Sequence, residues 1–144
     1  MKIRPIILCG GSGNRLWPNQ KNHQAKQFID FGGWTLIGKT FERIKHKSFD
    51  YPIISTNYKY LKHIKKALKS NKINKYKIIL EPSKKNTAPA ILSSALIDDI
   101  PLKQPLMYFT ADHLIEKPNK LINSVIKNKL FLNDKKIFIF GIKP

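Results

Sequence analysis

The feature that most constrains this chain is a regular alternation of short apolar runs with stretches that place apolar side chains at helical spacing. Residues 3–9 form the clearest apolar run, as expected of a strand covered on both faces. Residues 58–70 form the clearest helical stretch, because Leu61, Ile64 and Leu68 share one face and lysines occupy the other. Strands are predicted at residues 3–9, 52–55, 76–80, 106–110 and 136–142, and helices at residues 35–45, 58–70, 88–96 and 119–132.

Alternating strands and helices predict βαβ units, and therefore an α/β fold: a Rossmann-like, doubly wound and mostly parallel sheet with flanking helices. The 144 residues suit one domain, residues 1–144. A loop and a helix normally follow such a strand, so a chain ending directly after residues 136–142 leads us to expect a truncated fold. Ligands bind at the carboxyl ends of parallel strands, which here are residues 10–18, 81–90, 110–113 and 141–144.

The charge balance first suggests a nucleic-acid partner. Lysine and arginine total 27 and aspartate and glutamate 9, which gives a formal charge of +18. Only three basic residues are arginine, the better phosphate ligand, and the lysines are scattered along the chain. Abundant lysine, isoleucine and asparagine indicate an AT-rich coding sequence. Such a sequence would account for the positive charge without a surface selected to bind nucleic acid. The basic face of residues 58–70 keeps that alternative open.

Two further observations concern the compartment. Cys9 is the single cysteine and can form no internal disulfide, which favours a reducing cytoplasm. The longest apolar stretches are too short to cross a bilayer, and the first residues lack a signal-peptide pattern. We therefore expect a cytoplasmic location and no membrane partner.

The loop after the first predicted strand is rich in glycine. In residues 10–18 (GGSGNRLWP), three glycines allow backbone amides to approach an anion, and Arg15 adds a permanent cation. Leu16 replaces the third glycine of a dinucleotide-binding fingerprint, so that motif is incomplete. The loop predicts a polyphosphate site, with an ordinary glycine-rich turn as the alternative.

A second glycine motif has the spacing of an ATPase phosphate loop. Residues 33–40 (GWTLIGKT) match that spacing, and the apolar run before Asp112 resembles its usual companion strand. However, Trp34, Leu36 and Ile37 are bulky where a phosphate cradle needs small residues, and no convincing strand precedes them. Residues 35–45 are better interpreted as a helix with an apolar core face.

Five segments together resemble one family. Residues 10–18 resemble the signature loop of the sugar-phosphate nucleotidylyltransferases, and their LWP ending is similar to the mannose-1-phosphate guanylyltransferase branch. Four further segments agree with that branch in the same order: Lys26-Gln27-Phe28, residues 81–90 (EPSKKNTAPA), Ala111-Asp112-His113 and residues 140–144 (FGIKP). The resemblance covers nearly the whole chain and implies a nucleotidyltransferase fold.

The chain also departs from the family pattern. Ala25 and Thr110 stand where the family usually has proline, and Cys9 stands where alanine is usual. These small changes affect local loop shape rather than functional groups. The larger departure is length, because the family continues with a sugar pocket and a second metal-binding aspartate that this sequence does not contain.

The resemblance implies that mannose 1-phosphate attacks the α-phosphorus of GTP, giving GDP-mannose and pyrophosphate. In that reaction Arg15 would hold the departing phosphates. Lys26 would bridge the α-phosphate and the sugar phosphate, and Gly141 would contact the substrate. The predicted nucleotide-binding residues are Gly10, Gly11, Ser12, Gly13, Asn14, Arg15, Glu81, Asn86, Thr87 and Ala88. On position alone, a solvated lysine is the favoured interpretation of Lys26, and only the match of Lys26-Gln27-Phe28 to the family reverses it.

Two carboxylates receive specific roles. Asp112 follows a predicted strand at the ligand edge, where one carboxylate together with phosphates and water is typical of Mg²⁺; a turn or cap aspartate is the alternative. Glu81 could accept both hydrogens that guanine donates from N1 and its 2-amino group, or it could simply end a strand before Pro82. Thr87 could bind the nucleotide, or it could cap a helix that starts at Ala88.

Several functions therefore remain open from the sequence. The leading one is a mannose-1-phosphate guanylyltransferase with Mg²⁺, GTP and mannose 1-phosphate as partners. The alternatives are another sugar-phosphate nucleotidylyltransferase, a truncated non-catalytic GTP-binding remnant, or a nucleic-acid binder. We also expect self-association, or a separate chain that completes the domain, because truncation would leave an uncovered sheet edge.

Overall fold

The computed structural model describes residues 2–11, 25–83, 86–98, 100–133 and 136–141. The chain forms two compact units, Met1–Leu114 and Ile115–Pro144. The first unit contains a four-stranded parallel sheet in the order β3-β2-β1-β4. Its strands are β1 (Arg4–Cys9), β2 (Ile53–Asn57), β3 (Lys77–Glu81) and β4 (Leu106–Thr110). The predicted α/β class, with a parallel sheet and flanking helices, is confirmed.

Three helices connect these strands: α1 (Leu36–Arg43), α2 (Leu61–Ser70) and α3 (Thr87–Ala95). α1 begins after Thr35, whose hydroxyl accepts a 3.0 Å hydrogen bond from the Gly38 amide. The predicted helix at residues 58–70 begins instead as a 3-10 turn, Tyr58–Tyr60, and only then becomes α2. Asn57 explains that start, because its side chain accepts from the Lys59 amide and ends β2.

The core lies on both faces of the two central strands. Ile6 and Ile7 of β1 and Ile54 of β2 are fully buried, as expected of parallel strands covered on both sides. Ile37 and Phe41 of α1, and Ile64 and Leu68 of α2, are buried on the helix faces predicted from their spacing. The parallel register brings the carboxyl ends of all four strands to one edge of the sheet.

The opposite edge of the sheet is held by a buried arginine. Arg4 at the start of β1 pairs with Asp50 at 2.8 Å and donates to the Tyr51 carbonyl oxygen at 2.8 Å. Its guanidinium also lies 3.7 Å from the centre of the Tyr51 ring, and Gln104 bridges it to Asp50. These contacts compensate a buried charge, which explains how an arginine can occupy a central strand.

The second unit contains α4 (Pro118–Asn128), which continues as a 3-10 turn, Lys129–Phe131. The predicted fifth strand is wrong for the residues that can be described, because residues 136–141 form no strand. Their apolar side chains are exposed, including Ile137 and Ile139. A strand needs a partner for its backbone groups, and a run of apolar residues does not supply one. No helix within the described residues is long and apolar enough to cross a membrane.

Candidate functional site

Three of the predicted site residues meet at the carboxyl edge of the sheet. Glu81 ends β3 and its carboxylate lies against the Cα of Gly10, which follows β1. Asp112 lies in the turn after β4, whose Ala111 amide donates to the Leu8 carbonyl oxygen at 3.1 Å. Both carboxylates act electrostatically on the Cys9 thiol. In the strand order β3-β2-β1-β4, the strands that lead to Glu81 and to Asp112 lie on opposite sides of β1.

Cys9 is buried, and its thiol is unreactive at neutral pH. Burial raises the pKa of its thiol to about 12, and the nearby Asp112 and Glu81 charges add to the effect, while hydrogen bonds from Gln27 and Thr56 oppose it. The thiol therefore stays protonated at neutral pH and is a poor nucleophile. Its position at the end of β1 fits a packing role.

Glu81 is fixed by two residues of the neighbouring strand β2. The Ser55 hydroxyl donates a 2.6 Å hydrogen bond to Oε1 of Glu81, and the Asn57 amide donates to its backbone carbonyl at 3.3 Å. A Cβ atom on Gly10 would lie 2.9 Å from Oε2 of Glu81, so the absence of a side chain there makes room for the carboxylate. Sequence reasoning missed Ser55, although a hydroxyl in the apolar run of β2 was a usable signal.

The segment that carries Lys26 is attached directly to the glycine-rich loop. Lys26–Phe28 forms a 3-10 turn in which Gln27 is buried. The Gln27 amide donates to the Gly11 carbonyl oxygen at 3.1 Å and lies 3.6 Å from the Cys9 sulfur. Gln27 therefore ties the turn that carries the half-exposed Lys26 to Gly11, at the start of the predicted phosphate loop.

The turn that carries Asp112 is anchored from α1. Arg43 donates from Nη2 to the His113 carbonyl oxygen at 3.1 Å, and its guanidinium lies 5.8 Å from the centre of the Phe109 ring. Burial lowers the pKa of this guanidinium, and its Nε has no hydrogen-bond partner within the described residues. His113 thus contributes its backbone carbonyl group to the anchoring of this turn.

The start of α3 differs from one prediction. Thr87 is the first helical residue, so the alternative that Thr87 caps a helix from Ala88 is wrong. The capping position belongs to Asn86, which has a positive φ of 64° and makes no side-chain capping hydrogen bond. Asn86, Thr87 and Ala88 are all exposed, and their predicted contacts with a nucleotide remain predictions.

The ATPase-like motif does not form a phosphate loop. Gly38, Lys39 and Thr40 all lie inside α1. The Lys39 ammonium pairs with Glu42 at 3.0 Å, and the Thr40 hydroxyl donates to the Leu36 carbonyl oxygen at 3.1 Å. The spacing therefore arises from an ordinary amphipathic helix, as the bulky residues indicated.

Some predicted site residues cannot be placed against the others. Ser12, Gly13, Asn14 and Arg15 lie outside the described residues. Gly141 is exposed and belongs to the second unit, so its predicted contact with a substrate stays a prediction.

The side chains available at this edge of the sheet decide how the predicted Mg²⁺ would be bound. The described residues contain no group of three histidine, cysteine or acidic side chains that could hold a metal. Asp112 offers one partly accessible carboxylate, whereas Glu81 is already engaged by Ser55. A single carboxylate fits Mg²⁺ that takes its other ligands from phosphates and water, and does not fit a metal enclosed by protein alone.

Comparison with known proteins identifies the family of this chain. The family described as nucleotidyl transferase matches residues 4–142. The mannose-1-phosphate guanylyltransferase 2 of Escherichia coli O157:H7 is 35% identical over 147 residues, covering 99% of this chain and 30% of the relative. The chain therefore spans about a third of the length of such curated relatives.

Solved structures share the fold. A mannose-6-phosphate isomerase from Helicobacter pylori is 30% identical with a TM-score of 0.68, covering 90% of this chain and 46% of that one. A putative glucose-1-phosphate thymidylyltransferase from Bacillus anthracis is 17% identical with a TM-score of 0.66, covering 86% and 50%. The second likeness concerns the fold alone.

Proposed function

Because the chain belongs to the nucleotidyl transferase family, we propose that it carries the nucleotide-binding part of a site that transfers GMP from GTP to mannose 1-phosphate. The observation that carries this proposal is the Glu81 carboxylate, held beside Gly10 at the start of the predicted phosphate loop. A carboxylate there suits guanine, which donates two hydrogens side by side, and does not suit the acceptor-bearing edge of adenine.

The reaction requires two anions to be brought together although they repel each other. The sugar-phosphate oxygen attacks the α-phosphorus in line, and pyrophosphate leaves. Lys26 lies in the same turn as Gln27, which binds Gly11, and it would supply a positive charge that neutralises the two phosphates as they approach. Gly10 and Gly11 leave the backbone amides open to the triphosphate, and Arg15 holds the leaving phosphates.

Asp112 would hold Mg²⁺ through its carboxylate, at the end of β4 and close to the end of β1. Mg²⁺ supplies charge neutralisation on the phosphate oxygens when it is bound. Arg43 supports this role by fixing the turn that presents the carboxylate.

A binding and turnover screen tests the proposal. The purified chain is titrated with GTP, ATP, UTP, dTTP and CTP in the presence of Mg²⁺ by calorimetry, and GDP-mannose and pyrophosphate formation are then followed with mannose 1-phosphate. We expect GTP to bind most tightly. Tightest binding of UTP or dTTP would instead favour another sugar-phosphate nucleotidylyltransferase, and indifference among all five nucleotides would contradict base reading by Glu81.

The turnover arm distinguishes the enzyme from a GTP-binding remnant. Effective molarity can supply roughly 7–11 kcal/mol of barrier reduction, but only when the sugar phosphate is held beside the α-phosphorus. We expect the 144-residue chain to bind GTP and to form little GDP-mannose, since it spans about 30% of the length of its curated relatives. Efficient turnover by this chain alone would contradict that expectation.

A further inference from the structure

We propose that Ser55 is a positioning residue that sets nucleotide specificity, because it fixes the Glu81 carboxylate in the orientation that reads a guanine base. The inference rests on the proposed function, which assigns base reading to Glu81. It adds a residue on a different strand that touches no ligand and acts only through Glu81. The evidence is the set of contacts that Glu81 of β3 makes with two residues of β2 and with Gly10, which follows β1.

Ser55 is suited to hold one carboxylate oxygen. It lies on β2, between β3, which ends at Glu81, and β1, which Gly10 follows, and its side chain is completely buried. Its hydroxyl donates to Oε1 of Glu81 at 2.6 Å, a short distance typical of a hydrogen bond to an ionised acceptor. A carboxylate has about four lone-pair sites, so this bond leaves Oε2 and one site on Oε1 free for two further donors.

The rest of the Glu81 residue has little freedom. Asn57 holds its backbone carbonyl, and the parallel register places Glu81 opposite Asn57. The side chain then crosses β2 to reach Gly10, where any Cβ atom would come within 2.9 Å of Oε2. Ser55 attracts the carboxylate to this position and Gly10 leaves the room for it, so the two residues act on the same side chain by different physical means.

A fixed carboxylate discriminates among purines by the number of donors they present. Guanine offers N1–H and a 2-amino group, hypoxanthine offers N1–H alone, and adenine offers neither. An oriented carboxylate can pair with both guanine donors, whereas a carboxylate free to rotate loses part of that advantage. The ratio of the GTP and ITP affinities therefore measures how well Glu81 is oriented. The ATP affinity measures the phosphate contacts, because adenine has neither of the two donors.

The test measures the affinities of GTP, ITP and ATP by calorimetry for the full chain and its variants. For Ser55→Ala we expect the preference for GTP over ITP to fall by about fivefold or more, the loss typical of a disturbed hydrogen-bond pair, while ATP affinity changes by less than about twofold. The matched control is Ser94→Ala, which removes another fully buried serine hydroxyl, one that donates to the Ala90 carbonyl oxygen. This control should keep the wild-type preference.

Glu81→Gln and the double variant Ser55→Ala/Glu81→Gln complete a thermodynamic cycle. If Ser55 acts through Glu81, the double variant loses no more of the GTP preference than Glu81→Gln alone. Gly10→Ala displaces the Glu81 carboxylate by a second route, because the added Cβ atom would lie 2.9 Å from Oε2. This variant should also lower the preference for GTP over ITP. Melting temperatures recorded for each variant keep loss of fold separate from loss of specificity.

The outcomes separate this inference from the proposed function. A wild-type preference in Ser55→Ala, together with a lowered preference in Glu81→Gln, overturns the positioning role and leaves the proposed function standing. An unchanged preference in Glu81→Gln overturns base reading itself, and the role of Ser55 with it. Equal losses in Ser55→Ala and Ser94→Ala would also overturn the inference, because any buried hydroxyl would then have the same effect.

Discussion

The Arg43 guanidinium donates a 3.1 Å hydrogen bond to the His113 carbonyl oxygen, which joins the end of α1 to the turn after β4. The two residues are 70 positions apart in the chain. Arg43 is buried and within the described residues it has no acidic partner, while its guanidinium contacts that carbonyl group and the Phe109 ring. Since burying a charge is costly, this contact indicates a role in shaping the turn that carries Asp112.

The variant Arg43→Met tests that role. Methionine fills similar space without a buried charge, so we expect the free energy of unfolding to change by about 1 kcal/mol or less, in either direction. Mg²⁺-dependent GTP binding should weaken severalfold, because the turn at Asp112 loses its anchor. Denaturant unfolding and calorimetry measure the two effects separately. A variant that binds Mg²⁺ and GTP as the wild type does would contradict the anchoring role.

Asp112→Asn should weaken Mg²⁺-dependent GTP binding about tenfold or more and leave the melting temperature unchanged, because an amide oxygen replaces an ionised ligand of a hard cation. Calorimetric titrations of GTP with and without Mg²⁺ measure this dependence. Asp98→Asn is the matched control, since it removes an exposed carboxylate outside the site. The metal role of Asp112 fails if the two variants show the same dependence on Mg²⁺.

Lys26→Met should lower GTP affinity severalfold, because the lysine beside the glycine-rich loop would no longer neutralise the phosphates. Lys39→Met is its control: this lysine belongs to the ATPase-like motif, but it lies on α1 and pairs with Glu42. Affinities at low and high salt extend the test, since loss of a phosphate contact also reduces the salt dependence. Equal effects of the two substitutions would mean that Lys26 acts only through overall charge.

The lowered pKa of Asp50 predicts how the free energy of unfolding depends on pH. Burial disfavours its charge, but hydrogen bonds from Tyr51 and Gln104 and the charges of Arg4 and Lys75 outweigh that effect, so its pKa in the folded chain lies below the ordinary 3.8. A lowered pKa means that the ionised form stabilises the fold above pH 3.8, and that this stability is lost as pH falls through the lowered pKa.

Asp50→Asn should therefore cost about 1 kcal/mol at pH 7 and nothing at strongly acidic pH, measured by denaturant unfolding across that range. Glu42→Gln, which breaks an exposed ion pair with Lys39, should leave stability nearly unchanged. A constant difference between Asp50→Asn and wild type at every pH would show that ionisation of Asp50 does not contribute.

α3 predicts self-association. Leu92 of α3 is 60% exposed and Leu96, directly after the helix, is 70% exposed, and clusters of exposed large apolar side chains are normally covered. Replacing both leucines with lysine should lower the tendency to associate at high concentration, as measured by light scattering. Tyr58→Lys, at another exposed position, should not. If the wild type and both variants associate equally, the surface that associates lies elsewhere on the chain.

Much of the fold could be predicted because it depends on local patterns. The helical spacing in residues 35–45 and the apolar run in residues 3–9 each indicate an element and its buried face without reference to the rest of the chain. The prediction was wrong at residues 136–142, where a strand-like pattern has no paired backbone in the described residues 136–141. Pairing is a property of two segments, so one segment cannot establish it.

The sequence by itself determined the α/β class, the parallel sheet, and the position of Gly10, Glu81 and Asp112 at strand ends, because hydrophobic periodicity and the alternation of elements along the chain follow from residue types. Only the tertiary structure decided which side chains control those residues. Ser55 reaches Glu81 across 26 positions of the chain, and Arg43 reaches His113 across 70. Both contacts depend on the packing of distant elements to within an ångström, and no local pattern in the sequence specifies that packing.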